Sequence, residues 1–187
     1  NIGKHSYTAM LGQECWESSW DYTSVFNNLL PSDAVHNPAL GSGDPVINAG
    51  FGSAAMASFF TRLNYNYADR YLATYTYRYD GSSKFGENNK YAFFPSAGLA
   101  WNVSRESWLA DNKTISNLKL HTSYGMTGNS EIGVYQSLGK VSSGTTLING
   151  NRAPLSYISS IANPELKWEK TGQFDFGVEL GLWDQRL

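Results

Sequence analysis

The chain has 187 residues, of which 41% are hydrophobic, 14% are aromatic and only 16% are charged, with a formal net charge of -2. A charge this small, without any cluster of Lys or Arg, excludes nucleic acid as the expected partner. The single cysteine, Cys15, excludes an internal disulfide, and no segment approaches the roughly 18 apolar residues of a membrane helix. The high content of Tyr, Gly, Ser and Asn favours strands and turns instead.

Alternation with a period of two residues is the main secondary-structure signal, and it indicates strands. A weak instance lies near the start, over residues 6–11. A stronger pair, residues 59–67 and 71–80, is separated by the short break 68–70 and predicts a β-hairpin.

Three later segments repeat the alternation: residues 96–103, 118–127 and 173–182. Across these strands one face is apolar and free of charge, whereas charged side chains lie on the other face, among them Arg62, Arg78, Lys119, Asp175 and Glu179. A shift of the strand register by one residue would move these charges to the apolar face. In a bilayer, such a move costs roughly 2 to 4 kcal/mol for an Arg or Lys near the midplane. The pattern therefore predicts an all-β chain with a fixed register.

Strand length and loop asymmetry favour a membrane barrel over a soluble sheet. The runs approach the ~9 to 11 residues of a tilted membrane strand, and tyrosines cluster at their ends, as interfacial aromatic girdles do. The break Ala68 to Arg70 predicts a tight periplasmic turn, and Ser104 to Ser116 a connector with a short helical turn capped by Ser104. Three segments are predicted to be long extracellular loops: Trp16 to Ala54, Gly81 to Phe94 and Gly128 to Lys167.

Several motifs resemble the barrel of SusC/RagA-type TonB-dependent receptors. They are Arg62 to Leu72 (RLNYNYADRYL), Arg78 to Gly86 (RYDGSSKFG), Phe94 to Trp101 (FPSAGLAW), Ile115 to Asn129 (ISNLKLHTSYGMTGN) and Asn163 to Thr171 (NPELKWEKT). The similarity extends from about Ser58 to the end, and the first part of the chain shares it only weakly. The resemblance implies an antiparallel up-and-down meander that forms part of a transmembrane barrel of about 22 strands.

The resemblance also implies a biological setting. Such receptors lie in the outer membrane of Gram-negative bacteria, contact outer-membrane lipid, and import glycans or peptides with a SusD-type surface lipoprotein. A plug and its TonB box couple them to the TonB complex. We expect residues 1–187 to be a partial barrel domain of about six strands, without the plug, that stops at residues 184–187 in a further periplasmic turn.

Candidate site residues fall into two groups. The loop aromatics Trp16, Trp20, Tyr22 and Phe26 are candidates for stacking on a glycan or peptide, with loop packing as the alternative. The five charged residues of the polar face are predicted to line the lumen. His5, His36 and His121 lack metal-ligand spacing with one another or with Cys15, and no catalytic motif is present. The expected function is non-enzymatic transport without a cofactor; the alternative is a secreted, soluble carbohydrate-binding β-sandwich.

Overall fold

A computed structural model describes residues 2–109, 112 and 114–183. The turn predicted at residues 184–187 lies outside the described residues. The strands are β1 (His5–Phe26), β2 (Val46–Tyr67), β3 (Tyr71–Ser82), β4 (Tyr91–Asn102), β5 (Ile115–Asn129), β6 (Lys140–Ile148), β7 (Asn151–Ser160) and β8 (Glu169–Leu182). Three short 3-10 turns accompany them, at Pro38–Leu40, Glu87–Asn89 and Val103–Arg105.

Six strands form one sheet in the order β1-β2-β3-β4-β5-β8, and β6 pairs with β7 in a separate hairpin. Every pairing is antiparallel, with a register shift only at the start of β5 in the large sheet. The predicted fold class is therefore confirmed: consecutive strands pair as an up-and-down meander, and the hairpin β6-β7 is inserted before β8.

The prediction of a long loop from Trp16 to Ala54 is wrong over much of its length, because β1 extends to Phe26 and β2 begins at Val46. Each of these strands has 22 residues, about twice the ~9 to 11 that cross a bilayer. The part of this hairpin farthest from the tight turn is mostly solvent-exposed on both faces, so its side chains need not alternate between apolar and polar. Trp16, Trp20 and Tyr22 consequently lie on a strand rather than in a loop.

The other two predicted loops are also shorter than expected. Only residues 83–90 connect β3 to β4, and the segment between β5 and β8 contains the hairpin β6-β7. Asn149 and Gly150, with φ of 51° and 80°, turn that hairpin. Asn-Gly is the strongest short-range signal for such a turn. The flanking strands β6 and β7 alternate too poorly between apolar and polar residues for the sequence pattern to predict the hairpin.

The β2-β3 turn and the connection from β4 to β5 lie at the opposite end of the sheet, which is called the tight-turn end after the β2-β3 turn. Arg70 N donates to Tyr67 O at 2.9 Å, and Ala68 and Asp69 both have positive φ. The predicted helical turn after β4 is present, but it starts at Val103, so Ser104 lies inside it rather than capping it.

The described residues hold few buried apolar side chains, and no second sheet packs on the large one. Most large apolar side chains of β2, β4 and β8 are exposed, Leu63, Leu99 and Phe176 among them. A soluble β-sandwich would bury such a face against a second sheet. The sandwich alternative is therefore wrong.

Candidate functional site

The register of the large sheet separates an apolar face from a polar face. Leu63 lies opposite Tyr75, which lies opposite Ala97 on β4, and the same row continues through Tyr124 to Phe174. In the rows that pair with residues 59–67, the apolar face carries no Asp, Glu, Lys or Arg among the described residues. The structure places all five predicted lumen residues on the other face: Arg62, Arg78, Lys119, Asp175 and Glu179.

Four titratable side chains meet on the polar face of β5 and β8. Lys119 Nζ lies 3.0 Å from Glu179 Oε1. The His121 ring lies between two carboxylates, with Nε2 3.7 Å from Asp175 Oδ1 and Nδ1 3.6 Å from Glu179 Oε1. Gly177 is the residue opposite His121 and leaves room for the ring, because an added Cβ would overlap it. The strand pair thus presents two acidic and two basic groups as one cluster.

Arg78 is held by its own strand and by β2. Its Nη2 lies 3.1 Å from Asp80 Oδ1, and its Nε donates to Asp80 Oδ2 at 3.2 Å, which makes the pair bidentate. The guanidinium carbon also lies 5.3 Å from the centre of the Phe60 ring. Arg62, between Met10 and Thr76 in register, shares this face, so cationic and acidic groups are interspersed on it.

The predicted ligand aromatics form a strip on the polar face of the hairpin β1-β2. Trp20 and Tyr22 stack with ring centres 5.8 Å apart. Trp16 lies four residues before Trp20 on β1, and therefore on the same face of the strand. Gly52 and Gly50 face Trp20 and Tyr22 in register, and each ring lies against the glycine opposite. We call Trp16, Trp20 and Tyr22 the aromatic strip; about half of each side chain is exposed.

A compact apolar cluster ties two loops together at the end of the sheet away from the tight turns. We call it the loop clasp, and it consists of Phe85, Ala92, Phe94 and Trp168, all nearly inaccessible to solvent. The Trp168 ring lies 4.8 Å from Phe85 and 5.3 Å from Phe94, centre to centre. The clasp joins the β3-β4 loop to the segment before β8 across the intervening strand β5.

Hydrogen bonds complete the loop clasp. Trp168 Nε1 donates to Lys90 O at 2.9 Å, and Gly86 N donates to Leu166 O at 2.9 Å. Gly86 packs so closely on Pro164 that an added Cβ would overlap the Pro164 carbonyl. Two of the motifs that carried the sequence resemblance therefore contact each other, which their separation in sequence did not reveal.

At the tight-turn end, Glu106 connects two turns. Tyr71 OH and Trp101 Nε1 donate to Glu106 Oε1 at 2.8 and 3.1 Å, and Arg70 Nη1 lies 3.3 Å from Oε2. The hydrogen bonds from Tyr71 and Trp101, with the charge of Arg70, hold the pKa of Glu106 below the ordinary range for glutamate, although partial desolvation opposes them. The arrangement is structural, since it joins the turn at Ala68 to the turn after β4.

Within the described residues, no group of three or more His, Cys, Asp or Glu could hold a metal ion. None of the helices described is long and apolar enough to cross a membrane.

A single antiparallel meander with one apolar face and one charged face defines the wall of a large β-barrel. The family profile described as TonB dependent receptor-like, beta-barrel, matches residues 3–187. The chain belongs to this family of TonB-dependent receptor β-barrels.

Similar proteins agree with this assignment. TonB-dependent receptor P3 of Formosa agariphila is 45% identical over 132 residues, which is 71% of this chain and 13% of that protein. TonB-dependent receptor SusC of Bacteroides thetaiotaomicron is 37% identical over 142 residues, 71% of this chain and 14% of SusC. In the structure of the RagAB peptide transporter, a chain 32% identical superposes with a TM-score of 0.86, covering 98% of this chain and 20% of that one. The resemblance to SusC/RagA-type receptors is thus confirmed, and the chain spans no more than about a fifth of these relatives' length.

Proposed function

We propose that this chain forms part of the barrel wall of a TonB-dependent transporter in the outer membrane of a Gram-negative bacterium. The observation that carries the proposal is the charge asymmetry of the large sheet, because lipid tolerates only the uncharged face. The polar face then lines the lumen, with the loop clasp at the extracellular end. The function is non-enzymatic import and requires no cofactor and no nucleic acid.

The proposed transporter imports glycans or peptides together with a SusD-type surface lipoprotein. The similarity to a chain of the RagAB peptide transporter supports peptides as the imported substrate. The similarity to SusC supports membership in the same receptor class. Energy would come from the TonB complex, acting on a plug domain elsewhere in the protein. The segment described here contributes the lumen wall and the extracellular hairpins.

Within this segment, the aromatic strip is the proposed ligand contact. Flat rings that are half exposed beside polar backbone suit sugar rings and peptide side chains, and the strip lies on the same face as the lumen residues. The quartet around His121 offers both charge signs farther along the same face. In this proposal, a ligand would meet the aromatic contacts before the charged ones on its way inward.

A pair of neighbouring residues on β8 tests the membrane assignment. Leu180 and Glu179 point to opposite faces and are similarly exposed, at 55% overall and 48% for the side chain. Spin labels at the two positions of the full-length receptor in a bilayer should differ, with lipid contact at 180 and water contact at 179. Equal accessibility to a lipid-soluble relaxant at both sites would overturn the proposal.

Uptake assays test the ligand role. In cells that rely on the full-length receptor, Trp20→Ala should raise the concentration for half-maximal uptake of a labelled peptide pool or of labelled oligosaccharides. Ile47→Ala is the matched control, because Ile47 lies on the same hairpin, is comparably exposed and points to the other face. An equal effect of both variants would indicate general damage to the hairpin and would argue against the aromatic strip.

A further inference from the structure

The edge of β2 is left without a strand partner where β3 ends. Ser82, the last residue of β3, pairs with Met56, whereas β2 continues back to Val46. Ser83 extends the ladder by one step, since Ser83 N donates to Ala55 O and Ala55 N donates to Ser83 Oγ, both at 2.9 Å. Beyond that point none of the described strands pairs with this edge of β2, and the next donor along the edge is Ser53 N. Open edge donors of this kind require another partner.

Tyr135 supplies that partner from the loop between β5 and β6. Ser53 N donates to Tyr135 OH at 3.0 Å, and Ser53 Oγ lies 3.0 Å from the same hydroxyl. The Tyr135 ring also meets Phe51 edge-on, with ring centres 6.5 Å apart. Tyr135 has a φ of 60°, a left-handed conformation that bulky residues adopt only where the surroundings impose it.

The base of Tyr135 is fixed to the loop clasp. Leu138 N donates to Tyr135 O at 3.2 Å, and Asn163 N donates to Ser137 O at 3.0 Å. Asn163 begins the short segment that ends at Trp168 in the clasp. Tyr135 therefore connects the buried loop clasp to the projecting hairpin, through a contact with Ser53, which lies 82 residues away in sequence.

We propose that Tyr135 is a positioning residue that holds the aromatic strip over the lumen. It acts through Ser53, because the preceding residue, Gly52, lies opposite Trp20 in register. Loss of the contact would free the outer part of the hairpin to swing about the point where β3 ends. The inference rests on the proposed ligand role of the strip.

Hydrogen exchange in the full-length receptor provides the first readout. Tyr135→Phe keeps the ring but removes the hydroxyl, so exchange at the Ser53 amide should become roughly two- to tenfold faster, as for one lost hydrogen bond. Ser53→Ala removes only the Oγ contact and should have a smaller effect. Tyr157→Phe is the control, since the Tyr157 hydroxyl makes no hydrogen bond within the part of the chain that the structure describes.

Uptake of the same peptide pool or oligosaccharides provides the second readout. Tyr135→Phe should raise the half-saturation concentration roughly two- to tenfold and leave the maximal rate unchanged. Two outcomes would overturn the positioning role and leave the proposed function intact. One is that Tyr135→Phe leaves exchange at the Ser53 amide unchanged. The other is that Tyr135→Phe speeds this exchange but leaves the half-saturation concentration unchanged, while Trp20→Ala impairs capture. If neither Trp20→Ala nor Tyr135→Phe alters capture, the ligand role of the strip fails and the positioning role fails with it.

Discussion

Replacement of Trp168 should open the loop clasp locally without dismantling the barrel wall. Trp168 is 6% exposed, and its indole packs between Phe85 and Phe94 while donating to Lys90 O. Truncation of a buried tryptophan to alanine costs about 3 to 5 kcal/mol. Trp168→Phe keeps an aromatic ring and loses the N–H donor, which costs about 0.5 to 1.5 kcal/mol.

The Gly86 amide is the natural reporter, because it donates to Leu166 O inside the same unit. If the clasp opens as one unit, Trp168→Ala should speed Gly86 exchange by roughly two to three and a half orders of magnitude, and Trp168→Phe by roughly two- to tenfold. Trp108→Phe serves as control because Trp108 is 67% exposed at the tight-turn end, and it should leave Gly86 unchanged. Exchange measured by mass spectrometry on the full-length receptor resolves these differences.

Two results would refute this reasoning. Equal acceleration by Trp168→Ala and Trp168→Phe would mean that the hydrogen bond to Lys90 dominates and that burial of the ring contributes little. No acceleration at Gly86 in either variant would mean that the two loops are not energetically coupled, despite their contact.

Three further predictions concern single positions. Ala68→Asn should raise the free energy of unfolding by roughly 0.5 to 1 kcal/mol, because asparagine tolerates the φ of 53° better than alanine; denaturant titration measures it, and a loss of stability would contradict the turn assignment. Gly52→Ala should displace the Trp20 ring, since the new Cβ would overlap it. The substitution should therefore shift the tryptophan emission to the red, and the same substitution made in a Trp20→Phe background should leave the emission unchanged. The contribution of Glu106 to stability should be present above the ordinary glutamate pKa and be lost as the pH falls through its lowered value; Glu106→Gln should remove this pH dependence, and identical acid-unfolding profiles would contradict it.

The sequence predicted the two-faced part of the large sheet well, for a physical reason. One apolar face and one polar face impose alternation on residues 59–67 and 173–182, and this contrast is readable without a structure. The outer half of β1 and β2 is mostly exposed on both faces, so no such contrast marks it as strand. The hairpin β6-β7 was missed for the same reason, although Asn149 and Gly150 marked its turn.

The candidate site was only partly accessible from the sequence. Period-two alternation was enough to assign Arg62, Lys119 and Glu179 to one side of the sheet. It could not reveal that Lys119 pairs with Glu179, because that contact depends on β8 pairing with β5 across the inserted hairpin. Tyr135 and Trp168 act through loop contacts between distant segments, for which neither periodicity nor local propensity gives a signal.

Glycines opposite aromatic rings keep the polar face of the sheet shallow. The Phe60 ring lies over Gly12, the Trp20 ring over Gly52 and the His121 ring over Gly177. A side chain at any of these glycines would overlap the ring and push it away from the sheet. If this face lines the proposed channel, enlarging one of these glycines would narrow the channel there without replacing a polar side chain.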